Sequence, residues 1–181
     1  MREPPEGEEP AARPGDGAAA VHHGGATLAG AREALLAFRG LPHRVTLVGE
    51  AGGVGWYDDS KATAPHATRA AVRGFDSVVL IAGGRNKGLD LSDLAADVDH
   101  IRGVVAIGEA APEVAAAFDG LRPVRTATSM DEAVAAAASM ASAGDVVLLS
   151  PACASFDWYG SYGERGDDFA RAVRDLVLSS R

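Results

Sequence analysis

Residues 56–68 read WYDDSKATAPHAT. Two carboxylates, two hydroxyls and a lysine stand between Asp58 and Thr63, where a turn needs only one or two polar groups. A strand-like run enters this stretch and a helix leaves it, with Pro65 suited to the first helical turn, where a missing N–H costs nothing. Asp59, Ser60 and Thr63 therefore stand near the positive end of a helix, and Lys61 adds a full charge there, a combination that favours anions. The alternative is a heavily decorated helix cap, in which the same side chains only satisfy backbone N–H groups.

Two further clusters carry chemistry of a similar kind. Arg85, Asn86 and Lys87 stand in GGRNKG, directly after the apolar run SVVLIA. Ser150, Ser155, Asp157, Trp158, Tyr159 and Tyr162 follow DVVLL in SPACASFDWYGSYGERG. Lysine and arginine in such loops match phosphate or carboxylate groups. GGRNKG is not a P-loop, because the spacing and the terminal Lys-Ser/Thr are wrong, and neither a P-loop nor a dinucleotide glycine fingerprint occurs in these 181 residues. Cys153 lies among small residues with no histidine placed beside it in sequence, as a buried, inert thiol would. Trp56, Trp158 and Tyr159 suit core packing or a domain contact. His43 and His66 suit local hydrogen bonds, and His100 the surface.

These clusters need strands that stop beside one another. Val45–Gly49 and Val54–Tyr57 flank a glycine-rich turn and predict a β-hairpin that feeds the Asp58–Thr63 stretch. A crossover helix follows over Pro65–Gly74. Ser77–Ala82 is apolar throughout, as a strand covered on both faces must be. A helix is expected over about Leu91–Val98, a strand at Val104–Ile107, a helix through Glu113–Phe118 and a weak strand at Val124–Thr126. Met130–Ala141 is a helix opened by Thr128 or Ser129 with Glu132 behind it, as in a capping box. Asp145–Leu149 is the last strand, and Asp167–Leu178 closes the chain as a helix. Strands alternating with helices through short connections specify an α/β fold with a doubly wound, mostly parallel sheet. Ligands in such a sheet bind beyond the carboxyl ends of the strands, where all three clusters fall. Gly108-Glu109, after VVAI, reads as a plain connection.

Length allows one α/β domain with its own core, expected over residues 27–181. Residues 1–26 lack apolar periodicity and are expected to be a disordered leader, in which His22-His23 has no third metal ligand at a sensible spacing. A short amphipathic helix starts at Thr27, with Leu28, Ala31, Leu35 and Phe38 on one face, and stops at Gly40. The net charge of −8 argues against a general nucleic-acid or membrane-surface binder. A lone cysteine points to a reducing, cytoplasmic setting, and no apolar run is long enough to span a bilayer.

LPHRVTLVGEAGGVGWYDDSKATAPHAT, LIAGGRNKGLDL, VVAIGEAAPEV and DVVLLSPACASFDWYGSYGERGDDF together resemble, in order and spacing, the C-terminal domain of the Mur ligases, over about residues 31–178. Within that family the D-glutamate-adding branch is the most similar, because the aspartate-tyrosine-alanine-histidine run of the diaminopimelate- or lysine-adding branch is missing where Asp59–Lys61 stand. The resemblance implies a Rossmann-like domain of an ATP-dependent amide ligase of peptidoglycan synthesis. ATP would phosphorylate the carboxylate of UDP-N-acetylmuramoyl-L-alanine, and the amine of D-glutamate would attack the acyl phosphate. It also implies roles by residue. Arg44 and Asp59 would contact the nucleotide. Lys61, the catalytic residue in this assignment, would meet the phosphate and the incoming amino acid. Thr63, Lys87, Ser155, Phe156 and Tyr162 would hold D-glutamate, with tyrosine at 162 where the family usually has phenylalanine. Magnesium ligands are expected in the central domain of the family, not here. The N-terminal UDP-binding and central ATPase domains are not encoded in these residues, so the chain alone is expected to be inactive. It would be a fragment or work with separately encoded partners; a stand-alone module for an acidic metabolite or nucleotide, or a folded remnant, is the alternative.

Overall fold

The computed structural model describes residues 27–37 and 41–179. The chain divides into two compact units, Met1–Gly40 and Leu41–Arg181. In the first, helix α1 spans Leu28–Ala37. Its proposed apolar face lies outside the described side chains except for Leu28, which is exposed, and the expected leader at 1–26 lies wholly outside the described residues.

The second unit contains six strands: β1 (Thr46–Ala51), β2 (Val54–Asp58), β3 (Val78–Gly83), β4 (Ile101–Ile107), β5 (Val124–Ala127) and β6 (Val146–Ala152). Its helices are α2 (Pro65–Val72), α3 (Ala111–Ala117), α4 (Met130–Met140) and α5 (Tyr162–Ser179). The sheet order is β1-β2-β6-β3-β4-β5, with β1 antiparallel to β2 and every other pair parallel. This is the doubly wound sheet with a hairpin entry that the sequence specifies. Every residue of β3 is buried, because both its faces are covered. Val79, Ile81, Val105, Val147 and Leu149 pack with Met130 and Val134 of α4 and Phe169 and Val173 of α5. Val78, Leu80, Val104, Ala106 and Leu148 pack on the other face with Val72, Leu94, Val114 and Phe118. The chain runs outward from β3 to β5, and α4 then returns it to β6, between β2 and β3. The carboxyl ends of β2, β6 and β3 are therefore neighbours where the winding reverses.

Two elements and one residue differ from expectation. Leu91–His100 is a 3₁₀ segment kinked at Asp97, not an α-helix; Asp90 opens it by accepting from Ser92 N. Helix α5 begins at Tyr162, five residues before the expected start, since Gly163 and Gly166 are tolerated inside it. His100 is half-buried, with Nδ1 2.7 Å from the Phe75 carbonyl oxygen. At α4, Ser129 Oγ accepts from Glu132 N, while the Glu132 carboxylate accepts from Thr128 N and Oγ1.

Candidate functional site

Beyond β2 the chain is fastened at almost every residue. Asp58 Oδ1 accepts from Ser60 N at 2.8 Å, and its Oδ2 lies 2.7 Å from His43 Nδ1. Asp59 N donates to Leu149 O, Lys61 N to His43 O, and Ala152 N of β6 to Ala62 O. None of these side chains caps α2: its N-cap is Ala64, with no side-chain hydrogen bond. A side-chain cap on α2 is thereby excluded; Asp58 and Asp59 fasten the loop itself instead, to Ser60 N, His43 and Ser150.

Asp59, 4% exposed, accepts a 2.7 Å hydrogen bond from Ser150 Oγ. Burial pushes its carboxyl above the ordinary carboxylate range, although Ser150, the Val45 N–H and Arg44 pull the other way. Arg44, Asp59 and Lys61 line one cleft of about 410 Å³, with Ala67, Ala70 and Ala71 of α2 forming an apolar wall. Arg44 stands between two non-glycine residues in the left-handed region, His43 (φ 60) and Val45 (φ 47). Such a conformation costs a β-branched residue energy and persists only where its surroundings impose it. Here the restraints are the bonds just described.

Beyond β3, Gly84 (φ 128) lets the chain approach the β6 loop so closely that any Cβ would strike the Ala154 carbonyl. Arg85 N donates to Ala154 O, and Ala154 N returns a bond to Arg85 O. The Arg85 guanidinium pairs with both oxygens of Glu109, and Asn86 Nδ2 donates to Glu113. Their side chains are thus spent on fixing the loop. Lys87 is exposed, forms no ion pair among the described residues and lies with Nζ 6.0 Å from the Phe156 ring centroid. The connection after β4, plain by its sequence, is a joint between loops, because Glu109 N also donates to Asp157 Oδ2.

Beyond β6, Ser155 is 2% exposed with no side-chain hydrogen bond among the described residues, whereas Phe156 is exposed. Tyr162 opens α5, 5.6 Å from Lys61 Nζ. Thr63 is half-buried, two residues beyond Lys61. Cys153 is buried, and desolvation pushes its thiol up to about 11, so it is inert near neutrality. Trp56 belongs to the core, with Trp158 and Tyr159 packed against it. The cleft thus contains Arg44, Asp59 and Lys61, while Lys87–Phe156 and Lys61–Tyr162 are adjacent pairs.

Three residues that shape this region carry no motif. His43 and Glu109 act through the contacts above. Arg165, 1% exposed, donates from Nη2 to Ser60 O at 2.9 Å and to Cys153 O at 3.0 Å, joining the β2 and β6 loops. Desolvation lowers its guanidinium to about 10. Its spacing from Phe169, Ala172 and Val173 on the buried face of α5 was the available signal, hidden by placing the helix start at Asp167. Arg44, Lys61 and Lys87 form no ion pair among the described residues, while Arg69, Arg73, Arg85, Arg102 and Arg171 all do. No group of three or more His, Cys, Asp or Glu able to hold a metal occurs among the described residues.

Fold and site together define an α/β domain with a polar cleft and exposed cations beyond the strand ends at a switch point. The chain belongs to the Mur ligase family: the model of the Mur ligase glutamate ligase domain matches residues 43–153. It is 52% identical over 145 residues to the UDP-N-acetylmuramoylalanine–D-glutamate ligase of Frankia casuarinae, covering 78% of this chain and 31% of the relative. To the enzyme of the same name from Nitrosomonas europaea it is 49% identical, over 78% of this chain and 31% of that one. The chain therefore spans about a third of the length of these relatives. The fold is shared with UDP-N-acetylmuramate-alanine ligase of Thermotoga maritima, at a TM-score of 0.62 and 17% identity over 87% of this chain and 36% of that one. It is also shared with a bifunctional folylpolyglutamate synthase/dihydrofolate synthase of Yersinia pestis complexed with AMPPNP and Mn, at a TM-score of 0.58 and 22% identity over 88% of this chain and 37% of that one. Among the described residues, no helix is long and apolar enough to cross a membrane.

Proposed function

We propose that this domain delivers D-glutamate and closes over ATP in the ligase reaction that extends UDP-N-acetylmuramoyl-L-alanine in the cytoplasm. The observation that carries the reading is that Arg44 and Lys61 line one cleft with Asp59, that Lys87 extends from the neighbouring loop beyond β3, and that none of the three cations forms an ion pair among the described residues. In the cleft of Arg44, Asp59 and Lys61, the alanine wall of α2 accepts a flat apolar ring, Asp59 accepts from ribose hydroxyls, and Arg44 and Lys61 meet phosphate charge. When bound, ATP supplies the phosphoryl group that activates the acceptor carboxylate.

The residues of this chain then work by position and charge. Lys61 stands between the cleft and Tyr162, so its ammonium faces both the phosphate and the incoming amino acid. Lys87 attracts a carboxylate of D-glutamate, and the hydroxyls of Thr63 and Ser155 donate to it. Holding the amine beside an acyl phosphate lowers the entropic cost of attack. Magnesium is assigned to the central domain of the complete ligase, as the resemblance to the family implies.

The domain by itself is proposed to be inactive, since it contains no P-loop to hold the β- and γ-phosphates. The UDP-binding and central domains would come from the same polypeptide or from separately encoded partners. Titrating the isotopically labelled chain tests this reading. D-glutamate should move the amides of Thr63, Lys87, Ser155 and Phe156, and ATP those of Arg44, Asp59 and Lys61, without phosphate release. Shifts from neither ligand, or release of phosphate by the pure chain, would refute it.

A further inference from the structure

The chain has two lysines, Lys61 and Lys87, and both carry their ammonium over an aromatic ring: Lys61 at 5.6 Å from Tyr162 and Lys87 at 6.0 Å from Phe156. These two rings are also the exposed aromatics among the described residues, at 57% for Phe156 and 40% for Tyr162. Exposure of a single ring is ordinary on a protein surface; what sets these two apart is that each lies under a lysine ammonium. Tyr162 is itself supported: its ring meets the His43 ring edge-on at 6.0 Å, and His43 is held by Asp58. The His43 carbonyl accepts the backbone N–H of Lys61, so one residue steadies both ends of the Lys61–Tyr162 pair.

We infer that the rings of Phe156 and Tyr162 are positioning residues that hold the ammonium groups of Lys87 and Lys61 in place for an anionic ligand. The inference rests on the reading that these lysines receive the carboxylate and phosphate groups of the substrates. Elsewhere in this domain, long cationic side chains are fixed by carboxylates, as Arg85 is by Glu109 and Arg171 by Asp131, Asp168 and Asp175. A carboxylate fixes a cation at the cost of neutralising it, and it then competes with an anionic ligand. An aromatic face restricts the four flexible torsions of lysine through its quadrupole and leaves the full charge available. Tyrosine and phenylalanine serve equally, since the face is used and not the hydroxyl.

Reductive methylation of the full chain with ¹³C-formaldehyde tests this, because dimethyl-lysine keeps its charge and each lysine gives its own resonance. Lys61→Arg and Lys87→Arg assign the signals. In the folded chain both should lie upfield of their positions in urea, displaced by ring currents. Tyr162→Leu should return the Lys61 signal to the unfolded position and leave that of Lys87 in place, Phe156→Leu should do the reverse, and Tyr162→Phe should preserve both displacements. D-glutamate affinity should fall about two- to fivefold in each leucine variant. Coincidence of the folded and unfolded signals overturns the inference, and so does D-glutamate affinity unaltered by loss of either ring. Displaced signals in a chain that binds no D-glutamate would uphold the ring contacts and refute the D-glutamate reading instead.

Discussion

The loops that leave β2 and β3 end side by side, yet they are built differently. After β2, Asp58, Asp59 and Ser60 are all buried; the Asp58 carboxylate meets His43, that of Asp59 meets Ser150 of β6, and the Ser60 carbonyl meets Arg165. After β3, only the start of the loop is buried. From Arg85 onward its side chains bond to Glu109 and Glu113 at the surface, and Lys87 extends into solvent over Phe156. The β2 loop is therefore preformed, as the proposed contact with phosphate charge in one geometry requires. The β3 loop is tied to Glu109 and Glu113 and closed on itself by Asn86, whose Nδ2 donates to Leu89 O and whose Oδ1 accepts from Leu89 N, so it is a fixed surface turn from which the Lys87 side chain extends.

The sharpest break of this contrast is Arg165→Met. It removes the guanidinium shared by Ser60 O and Cys153 O and leaves two buried carbonyls unpaired, so urea denaturation should show a loss of about 3 kcal/mol. Next comes Gly166→Ala. Its Cβ would collide with the His43 ring, the Asp58 carboxylate and the Ser60 hydroxyl, an overpacking worth about 2 kcal/mol by the same measurement.

Asp59→Asn separates rigidity from charge. The folded-state carboxyl lies above its ordinary 3.8, so its contribution to stability is fully present below that value and lost as the pH rises through the folded value. The asparagine variant should therefore lose less stability than the parent as pH climbs from the acid side to neutrality, read from urea midpoints at a series of pH values. An unchanged slope would place the charge elsewhere. Arg85→Ala marks the other end of the scale. Its pair with Glu109 is solvent-exposed, so the urea midpoint should not move measurably.

The frame of this domain was legible in its sequence because hydrophobic period and length fix buried parallel strands: Ser77–Ala82 and Asp145–Leu149 each lie within a residue or a few of β3 and β6. The helix start at Tyr162 was not, since Gly163 and Gly166 weaken the local helix signal and tertiary contacts override it. Of the site, the cations were legible as types: charge in a loop after a buried strand is conspicuous. Their supports were not. Glu109 and Arg165 act across separations of 24 and 105 residues, on Arg85 and on the Ser60 carbonyl, and no local pattern encodes such partners. His43 looked like a local hydrogen-bonding residue, and it is one; its reach to Tyr162 depends on α5 starting early.

The central claim is the proposal that Lys87, extending from the β3 loop, recognises D-glutamate. It is tested most directly by joining or mixing this chain with matching UDP-binding and central ligase domains and measuring steady-state kinetics for Lys87→Ala. A charge-assisted contact of about 1.5–3 kcal/mol predicts a fall in kcat/KM for D-glutamate of about tenfold to more than a hundredfold, with the ATP and UDP-substrate parameters much less changed. Unaltered D-glutamate kinetics in an otherwise active ligase would contradict the claim and leave Lys87 a solvated loop residue.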